Sequence, residues 1–214
     1  MIKTYVLEIE SHSDLSSSLH AFCLQNHIAD EQEILIQAFT CLTQKSAITG
    51  IISSIQTVLP NAKIIGTSTG SWIAGQRYNA QHTILQFCLF EHSQISTLLI
   101  PTCSENLSEL AQLIDQDLVS KNTRLMLLFS SPAIQQAGVL LDELCLLNPD
   151  VVLAGGYSSQ GSTSEPPLQF TEQGVTDQGI ALASISSTQL YLLNKYAFGW
   201  NGIGKQLTLT SVQY

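Results

Sequence analysis

An internal repeat constrains the fold more than any other feature of this sequence. In each copy an apolar, strand-like run leads into a segment with apolar residues at helical spacing, and a proline then precedes a second strand-like run. That second run ends in glycines and small hydroxyl residues, at residues 63–71 and 151–161. The matched positions are Phe39 with Phe129, Pro60 with Pro149, and Gly66 with Gly155. The pattern predicts two similar β-α-β units.

Two further strands are predicted at the end of each copy. A short polar stretch separates the members of each pair, which is typical of an antiparallel hairpin. The strand pairs are residues 83–89 with 95–100 in the first copy, and residues 179–185 with 190–193 in the second. We therefore expect two β-α-β-β-β units, within residues 31–100 and 122–196.

Helices are predicted where apolar residues recur at spacings of three and four. Outside the two units they cover residues 105–120 and a segment that begins at an N-cap, Ser13, and ends near Asn26, after a strand over residues 5–9. In the second copy the helix covers residues 135–147. Its spacing directs four side chains inward: Ala137, Leu140, Leu141 and Leu144.

A layered α/β sandwich follows from these units. Each β-α-β step makes a parallel strand pair with a right-handed crossover, and each hairpin adds antiparallel strands, so each copy should form a mixed sheet with its helix on one face. Neither sheet can cover its second apolar face alone, so the two copies should pack together as one domain, residues 1–214. The polar loops 66–71 and 155–161 would then line a single cleft.

Charge and composition exclude several classes of protein. The formal net charge is −9, and the chain has only 8 Lys and Arg residues, which argues against binding to nucleic acid or to an anionic lipid surface. No apolar run reaches the roughly 18 to 20 residues of a membrane span, and the N-terminus is unlike a signal peptide. We therefore expect a cytoplasmic domain without a membrane span.

The cysteine pattern agrees with a reducing compartment. The cysteines are odd in number, widely spaced and mostly set in apolar sequence, which predicts buried, reduced thiols. No CxxC pair or cluster of His and Cys indicates a metal site, so no bound metal is expected. The five residues are Cys23, Cys41, Cys88, Cys103 and Cys145.

Small hydroxyl side chains dominate the two polar loops and make them candidate ligand contacts. A cleft lined by hydroxyls and one cation can hold a small polar ligand without reacting with it. Arg77 is the cation, and it could pair with a ligand carboxylate. The candidate hydrogen-bonding residues are Thr67, Ser68, Thr69, Tyr157, Ser158 and Ser159. Ordinary turn capping by the same hydroxyls is an equally weighted alternative.

A catalytic serine is the second function that the first loop suggests. Gly66-Thr67-Ser68-Thr69-Gly70 matches the G-x-S-x-G pattern of a nucleophile elbow, which would make Ser68 the nucleophile of a serine hydrolase. An elbow turns into a helix, however, and the residues after Gly70 lack a helical apolar period. The triad order would also need an acid and then a histidine after Ser68, and only His82 and His92 follow it, both before the second copy of the repeat. A non-catalytic domain is therefore favoured.

Three segments in order resemble the FIST domain family. Residues 62–70 read Ala-Lys-Ile-Ile-Gly-Thr-Ser-Thr-Gly, which is similar to the family signature vvGcSTaG. Residues 151–156 resemble its second strand, pvfGG, and residues 198–210 resemble its segment G-w-x-p-i-G-x-x-x-x-v-t. The resemblance covers nearly the whole chain.

The resemblance implies a cytoplasmic sensory module that receives a small ligand for bacterial signal transduction. Amino acids are the ligands it suggests. It also implies two partners in a longer protein, a C-terminal FIST module and a signalling output domain, so that the chain resembles an excised N-terminal part. A binding site shared with that C-terminal module would be incomplete in residues 1–214.

Haem is the cofactor that the resemblance adds as an alternative, because some members of the family bind haem and sense nitric oxide. An axial ligand in an apolar pocket would be required. The histidines available are His12, His20, His27, His82 and His92, with the cysteine thiolates as a second choice, and none of them matches a haem motif of the family. For His20 and His27, solvent exposure or helix capping is the simpler interpretation.

Overall fold

The structure is a computed structural model that describes residues 2–10, 14–74, 76–101, 106–134, 136–159 and 165–193. These residues form twelve strands and four helices. The strands are β1 (Ile2–Ile9), β2 (Glu33–Thr40), β3 (Lys63–Ser68), β4 (Trp72–Ala74), β5 (Arg77–Asn79), β6 (Thr83–Phe90), β7 (Gln94–Ile100), β8 (Thr123–Ser130), β9 (Val152–Tyr157), β10 (Gln169–Thr171), β11 (Gly174–Thr176) and β12 (Ile180–Ser186). The helices are α1 (Leu15–Asn26), α2 (Lys45–Val58), α3 (Leu107–Leu118) and α4 (Ala137–Leu147).

Two mixed sheets form the centre of the fold. The first sheet has the strand order β1-β6-β2-β3-β10-β11, and the second has the order β7-β12-β8-β9. Within them β2 pairs with β3, and β8 with β9, in parallel, as the β-α-β pattern predicts. Strands β4 and β5 form a separate antiparallel pair. The prediction of an α/β layered sandwich is confirmed.

Alternating side chains distribute each strand between two cores. Along β2, Ile34 and Ile36 pack against α1 and α2, whereas Leu35 points toward the second sheet. Helices α3 and α4 cover the outer face of the second sheet in the same way. Between the sheets, Phe39 and Phe129 meet edge to face with ring centroids 5.5 Å apart. The order of layers is therefore helices, sheet, sheet, helices.

The structural repeat is longer than the sequence indicated. Strands β1, β6, β2 and β3 occupy the same places in the first sheet as β7, β12, β8 and β9 in the second. Each copy is therefore a β-α-β-α-β unit followed by a small hairpin and a last strand. Strand β7 opens the second copy, so the boundaries 31–100 and 122–196 shift to begin at β1 and β7.

The predicted terminal hairpins were wrong. Strand β6 is hydrogen-bonded to β1 on one side and β2 on the other, so it has no free edge for β7, which pairs with β12 in the other sheet. Strand β12 is likewise occupied on both sides by β7 and β8. Residues 190–193 consequently form no strand, and Leu190 packs into the core between the sheets.

Two short hairpins were missed by the sequence analysis. Hairpin β4–β5 follows β3, and hairpin β10–β11 occupies the corresponding place after β9. Hairpin β10–β11 crosses to the first sheet, where β10 pairs antiparallel with β3. Phe170 lies opposite Gly66 in this pairing, and its ring covers the space that a side chain at Gly66 would need. The second copy therefore completes the sheet of the first.

Several local predictions need correction. Ser13 lies outside the described residues, and the residue preceding α1 is Asp14, whose side chain makes no capping hydrogen bond. Leu141, predicted to point inward, is 36% exposed because no element of the described chain covers that side of α4.

Among the described helices, none has the length and apolar character needed to cross a membrane.

The cysteines are only partly buried as predicted. Cys23 and Cys88 are buried and Cys41 is half-buried, and burial raises the pKa of all three thiols. A hydrogen bond with Gln37 opposes this effect at Cys88. Cys145 is exposed, which contradicts the prediction, because it lies on the uncovered side of α4. Cys103 lies outside the described residues.

Substitution of Gly66 tests the contact that joins the hairpin of the second copy to the first sheet. A Cβ at Gly66 would lie 2.2 Å from the ring of Phe170, so Gly66→Ala should displace β10 and lower the free energy of unfolding by about 1–3 kcal/mol. Gly50→Ala is the control, because no atom lies within 4 Å of that position in α2. The control should be neutral or stabilise by up to about 1 kcal/mol. Equal urea midpoints for the two variants would contradict the packing described.

Candidate functional site

The two predicted loops meet, and they form a hydrogen-bonded clasp between the two copies of the repeat. The Thr67 hydroxyl donates to Ser158 Oγ at 2.6 Å, and the Ser159 amide donates to the Ser68 carbonyl oxygen at 3.2 Å. The Ser68 hydroxyl donates in turn to the Ser159 carbonyl oxygen, also at 3.2 Å. We call these four residues the clasp.

The repeat itself places the clasp. Each loop continues along the parallel neighbour of its strand, because the Thr69 amide donates to Thr40 O at 2.8 Å and the Ser158 amide donates to Ser130 O at 2.9 Å. Both loops therefore leave the carboxyl ends of their strands at equivalent positions. Since the sheets face each other, these ends meet, as the sequence predicted.

Most of the predicted hydroxyls are already bonded within the protein. Thr67, Ser68 and Ser158 are buried, and the Ser68 hydroxyl also accepts a hydrogen bond from the Leu168 amide at 2.7 Å. The Thr69 hydroxyl donates to the Ser71 carbonyl oxygen at 2.7 Å, which closes a local turn. These contacts agree with the turn-capping alternative. Of the predicted hydroxyl residues, Tyr157 and Ser159 are exposed and Thr69 is half-buried.

Ser68 does not have the surroundings of a nucleophile in the described part of the chain. It is 2% exposed, and the partners of its hydroxyl are the backbone groups of Ser159 and Leu168. No described histidine forms a hydrogen bond with it, and its strand leads into a turn and the β4 strand instead of a helix. The geometry indicates a serine that fixes neighbouring backbone.

Arg77 lies outside the clasp. It is on β5, where its guanidinium group pairs with the Glu8 carboxylate at 3.2 Å. Glu8 is also bonded to His82 Nδ1 at 2.9 Å and to Asn79 Nδ2 at 3.3 Å. This group joins hairpin β4–β5 to β1. The Arg77 charge therefore has a protein partner, and the structure does not bring it together with the other predicted site residues.

An open cleft between α4 and β9 was not foreseen. Its volume is about 500 Å³, and apolar side chains line most of it. Tyr157, which is 58% exposed, is the one predicted site residue on its rim. The lining residues are Leu128, Ser130, Ala137, Gly138, Leu140, Leu141, Cys145, Leu153, Ala154, Gly155, Gly156 and Tyr157. Prediction of the cleft would have required knowing that nothing in the described chain covers Leu141.

Strand β9 contributes an open backbone edge to this cleft. Among the described strands it pairs only with β8, so the hydrogen-bonding groups on its other side have no strand partner there. Gly155 has φ +148°, and a Cβ there would lie 1.8 Å from the Leu128 carbonyl oxygen, so only glycine fits. Gly156 also has no side chain, so the backbone of β9 is uncovered at both positions. The sequence predicted Gly155 and Gly156 in the loop 155–161, whereas both lie within β9.

Metal and haem ligands are not concentrated at this site in the described residues. No group of three His, Cys, Asp or Glu side chains that could hold a metal ion occurs there. His27 ends α1 in a left-handed conformation and His20 is exposed, as predicted for both. His82 is bound to Glu8, and His12 lies outside the described residues. None of the described histidines lines the cleft.

Comparison with known proteins identifies the family. The FIST N domain family model matches residues 34–213, which is most of the chain. The chain belongs to the FIST N domain family. FIST domains are known as small-ligand sensory domains of signalling proteins, so the suspected resemblance is confirmed. The matched region includes both clasp loops and the α4–β9 cleft of this FIST N domain.

Other comparisons add little to this identification. No curated protein matches the chain. Among solved structures, cyanuric acid hydrolase from A. caulinodans has a TM-score of 0.43 and 11% sequence identity, with 94% of this chain and 69% of that chain covered. A likeness of this degree carries no argument about chemistry. The FIST N domain must therefore be interpreted from its own residues.

A double-mutant cycle tests whether the clasp couples the two copies. Thr67→Val and Ser158→Ala should each lower the free energy of unfolding by about 1–3 kcal/mol, because each removes one hydroxyl of this buried pair and leaves the other without that partner. The double variant should lose about 0.5–1.5 kcal/mol less stability than the sum of the losses in the two single variants. Ser159→Ala is the control and should change stability by under about 0.5 kcal/mol, since that side chain is exposed. Strict additivity would contradict a direct contact.

Proposed function

We propose that this FIST N domain is the small-ligand input of a bacterial signalling protein and that its ligand binds in the α4–β9 cleft. The observation that supports the proposal most directly is the connection between cleft and clasp. Strand β9 forms one wall of the cleft, and its last residue, Tyr157, continues into Ser158 and Ser159. A ligand on β9 therefore acts on the junction between the two sheets.

The ligand class that suits the cleft is an amino acid with an apolar side chain. The lining by Leu128, Leu140 and Leu141 favours an apolar group, at about 25 cal/mol per Å² of apolar surface buried. The open backbone edge of β9 offers N–H groups to a carboxylate and carbonyl groups to an ammonium group. In this arrangement β9 replaces Arg77 as the carboxylate partner, because Arg77 is paired with Glu8.

We infer that the domain does not catalyse a reaction and that it works in the cytoplasm. The hydroxyl of Ser68 is committed to two backbone groups, which supports a structural role. A reducing compartment suits the free thiols Cys23, Cys41, Cys88 and Cys145. Its partners in the complete protein are a C-terminal FIST module and an output domain, to which the sheet junction passes the change.

A pair of charged substitutions on α4 tests the ligand site. Leu141 lines the cleft, whereas Leu146 lies on the same helix outside it and is 78% exposed. With a thermal-shift panel of the twenty amino acids, at least one apolar amino acid should raise the melting temperature of the unchanged protein. Leu141→Glu should weaken that binding at least about tenfold, which corresponds to ~1.4 kcal/mol, because a carboxylate replaces apolar contact.

Leu146→Glu is the matched control and should bind the same amino acid as the unchanged protein does. Equal weakening by both substitutions would place the ligand elsewhere. A flat amino-acid panel combined with saturable haem binding would overturn the proposal in favour of the haem alternative. Turnover of an ester substrate that is lost in Ser68→Ala would overturn the non-catalytic role.

A further inference from the structure

The two small hairpins are equivalent parts of the repeat. Each has two three-residue strands, paired Trp72 with Asn79 at the open end of β4–β5 and Gln169 with Thr176 at the open end of β10–β11. In both copies three residues connect the hairpin to the last strand, β6 or β12. Ile73 in the first hairpin therefore corresponds to Phe170 in the second.

Hairpin β10–β11 has a complete docking site on the first copy. Strand β10 pairs with β3, and the Phe170 ring is fully buried against Gly66 beneath α2. The Gln56 side chain on α2 donates to the Glu172 carbonyl oxygen at 3.5 Å. Ile52 on α2 belongs to the same buried cluster as Phe170. Strand, glycine and helix thus form one receptor for a hairpin with an apolar side chain in its first strand.

The second copy contains the same receptor, and in the described residues it is empty. Gly155 on β9 corresponds to Gly66, and Leu141 precedes Gly155 by the same 14 residues by which Ile52 precedes Gly66. Ile52 is 4% exposed, but Leu141 is 36% exposed. The hairpin residue that would enter is exposed too, since Ile73 has 77% of its surface in solvent. The site at Gly155 and Leu141 and the Ile73 side chain that would fill it are therefore both exposed and are not in contact.

We propose that hairpin β4–β5 docks on the free edge of β9, with β4 antiparallel to β9 and Ile73 opposite Gly155. This pairing adds β4 and β5 to the second sheet, as β10 and β11 extend the first. Main-chain hydrogen bonds provide the affinity, and insertion of Ile73 between α4 and the sheet provides the specificity. The partner of the open edge is thus a segment of the same chain.

The hairpin already lies on the face of the first sheet that is turned toward the second sheet. Along β6, Ile84 and Gln86 alternate with the outward-facing residues and share the face of Cys88, which looks toward the second sheet. Trp72, Ile73 and Ala74 line a gap against this face, so the hairpin already lies level with the second sheet. The connection over residues 80–82 is as long as the one over residues 177–179, which spans the equivalent distance.

Polar contacts hold the hairpin in its present place. Arg77 and Asn79 are bonded to Glu8, and the Trp72 indole donates to the His82 carbonyl oxygen at 3.1 Å. The Glu8 side chain is 17% exposed and accepts from both hairpin residues, so its charge favours the present position. Removal of the Glu8 charge should therefore favour docking.

A glutamine in the hairpin turn supports the equivalence. In the docked hairpin of the second copy, the Gln173 amide donates to the Thr97 carbonyl oxygen at 3.0 Å and accepts from the Leu99 amide at 3.2 Å. Gln76 is at the same position of hairpin β4–β5, and the equivalent of β7 is β1. Docking on β9 would let Gln76 make the same pair of contacts with the edge of β1.

Docking would also change the α4–β9 cleft, a consequence that rests on the proposed function. Ile73 would enter the cleft beside Gly155, and β4 would bond to the β9 backbone groups that the proposed site offers to an amino acid. A docked hairpin and a bound amino acid would therefore exclude each other.

Cysteine cross-linking in the absence of any ligand tests the docking itself. Ala74 follows Ile73 and Ala154 precedes Gly155, so the proposed register places them opposite each other, with Cα atoms about 4.5–5.5 Å apart and within reach of a disulfide. Ala74→Cys with Ala154→Cys is introduced together with Cys145→Ser, which removes the exposed native thiol. The control combines Ala74→Cys with Leu146→Cys. Circular dichroism and urea unfolding confirm that both variants fold.

On mild oxidation the 74–154 disulfide should form within one chain, at least about tenfold faster than in the control, since ~1.4 kcal/mol of preference gives that ratio. Peptide mass spectrometry identifies the linked pair. Addition of Glu8→Gln should increase the rate further. A rate no faster than in the control, or disulfides formed only between chains, would overturn the proposal. The cross-linking experiment contains no ligand, so its result does not depend on amino-acid binding. An amino-acid panel that shows no binding would contradict the proposed function but not the docking.

Discussion

The contact between Phe170 and Gly66 is the constraint on which the two-sheet arrangement depends. A buried ring from the second copy lies on bare backbone of the first, and β10 can pair with β3 only because residue 66 has no side chain. The pairing draws the second half of the chain across the first sheet. It also fixes the Leu168 amide beside Ser68, and so brings the two polar loops into contact.

The clasp adds a buried polar junction to this apolar one. Hydroxyl groups in a dry interface have to find partners, and Thr67 finds Ser158 across the boundary between the copies. The two junctions lie at the same ends of the same strands. Strand β9 is thus connected to the first sheet through a few hydrogen-bonded residues.

The sequence was sufficient for the layered α/β architecture, for the parallel β2–β3 and β8–β9 pairs and for the meeting of the two loops. It was insufficient for strand partnership. The apolar runs of β6 and β7 look like a hairpin locally, but both edges of β6 are taken by β1 and β2, which no local pattern reveals. Three-residue strands such as β4 and β10 are too short to show a period. The cleft escaped prediction because Leu141 has the spacing of a core residue, and its exposure depends on what other elements leave uncovered.

The two hairpins are joined to their preceding strands by connections of unequal length. Only residues 69–71 separate β3 from β4, whereas eleven residues separate β9 from β10. Three residues span at most about 11 Å, so hairpin β4–β5 has to stay close to the end of β3 and to Ser68. The docking proposed for this hairpin would therefore pull directly on the clasp.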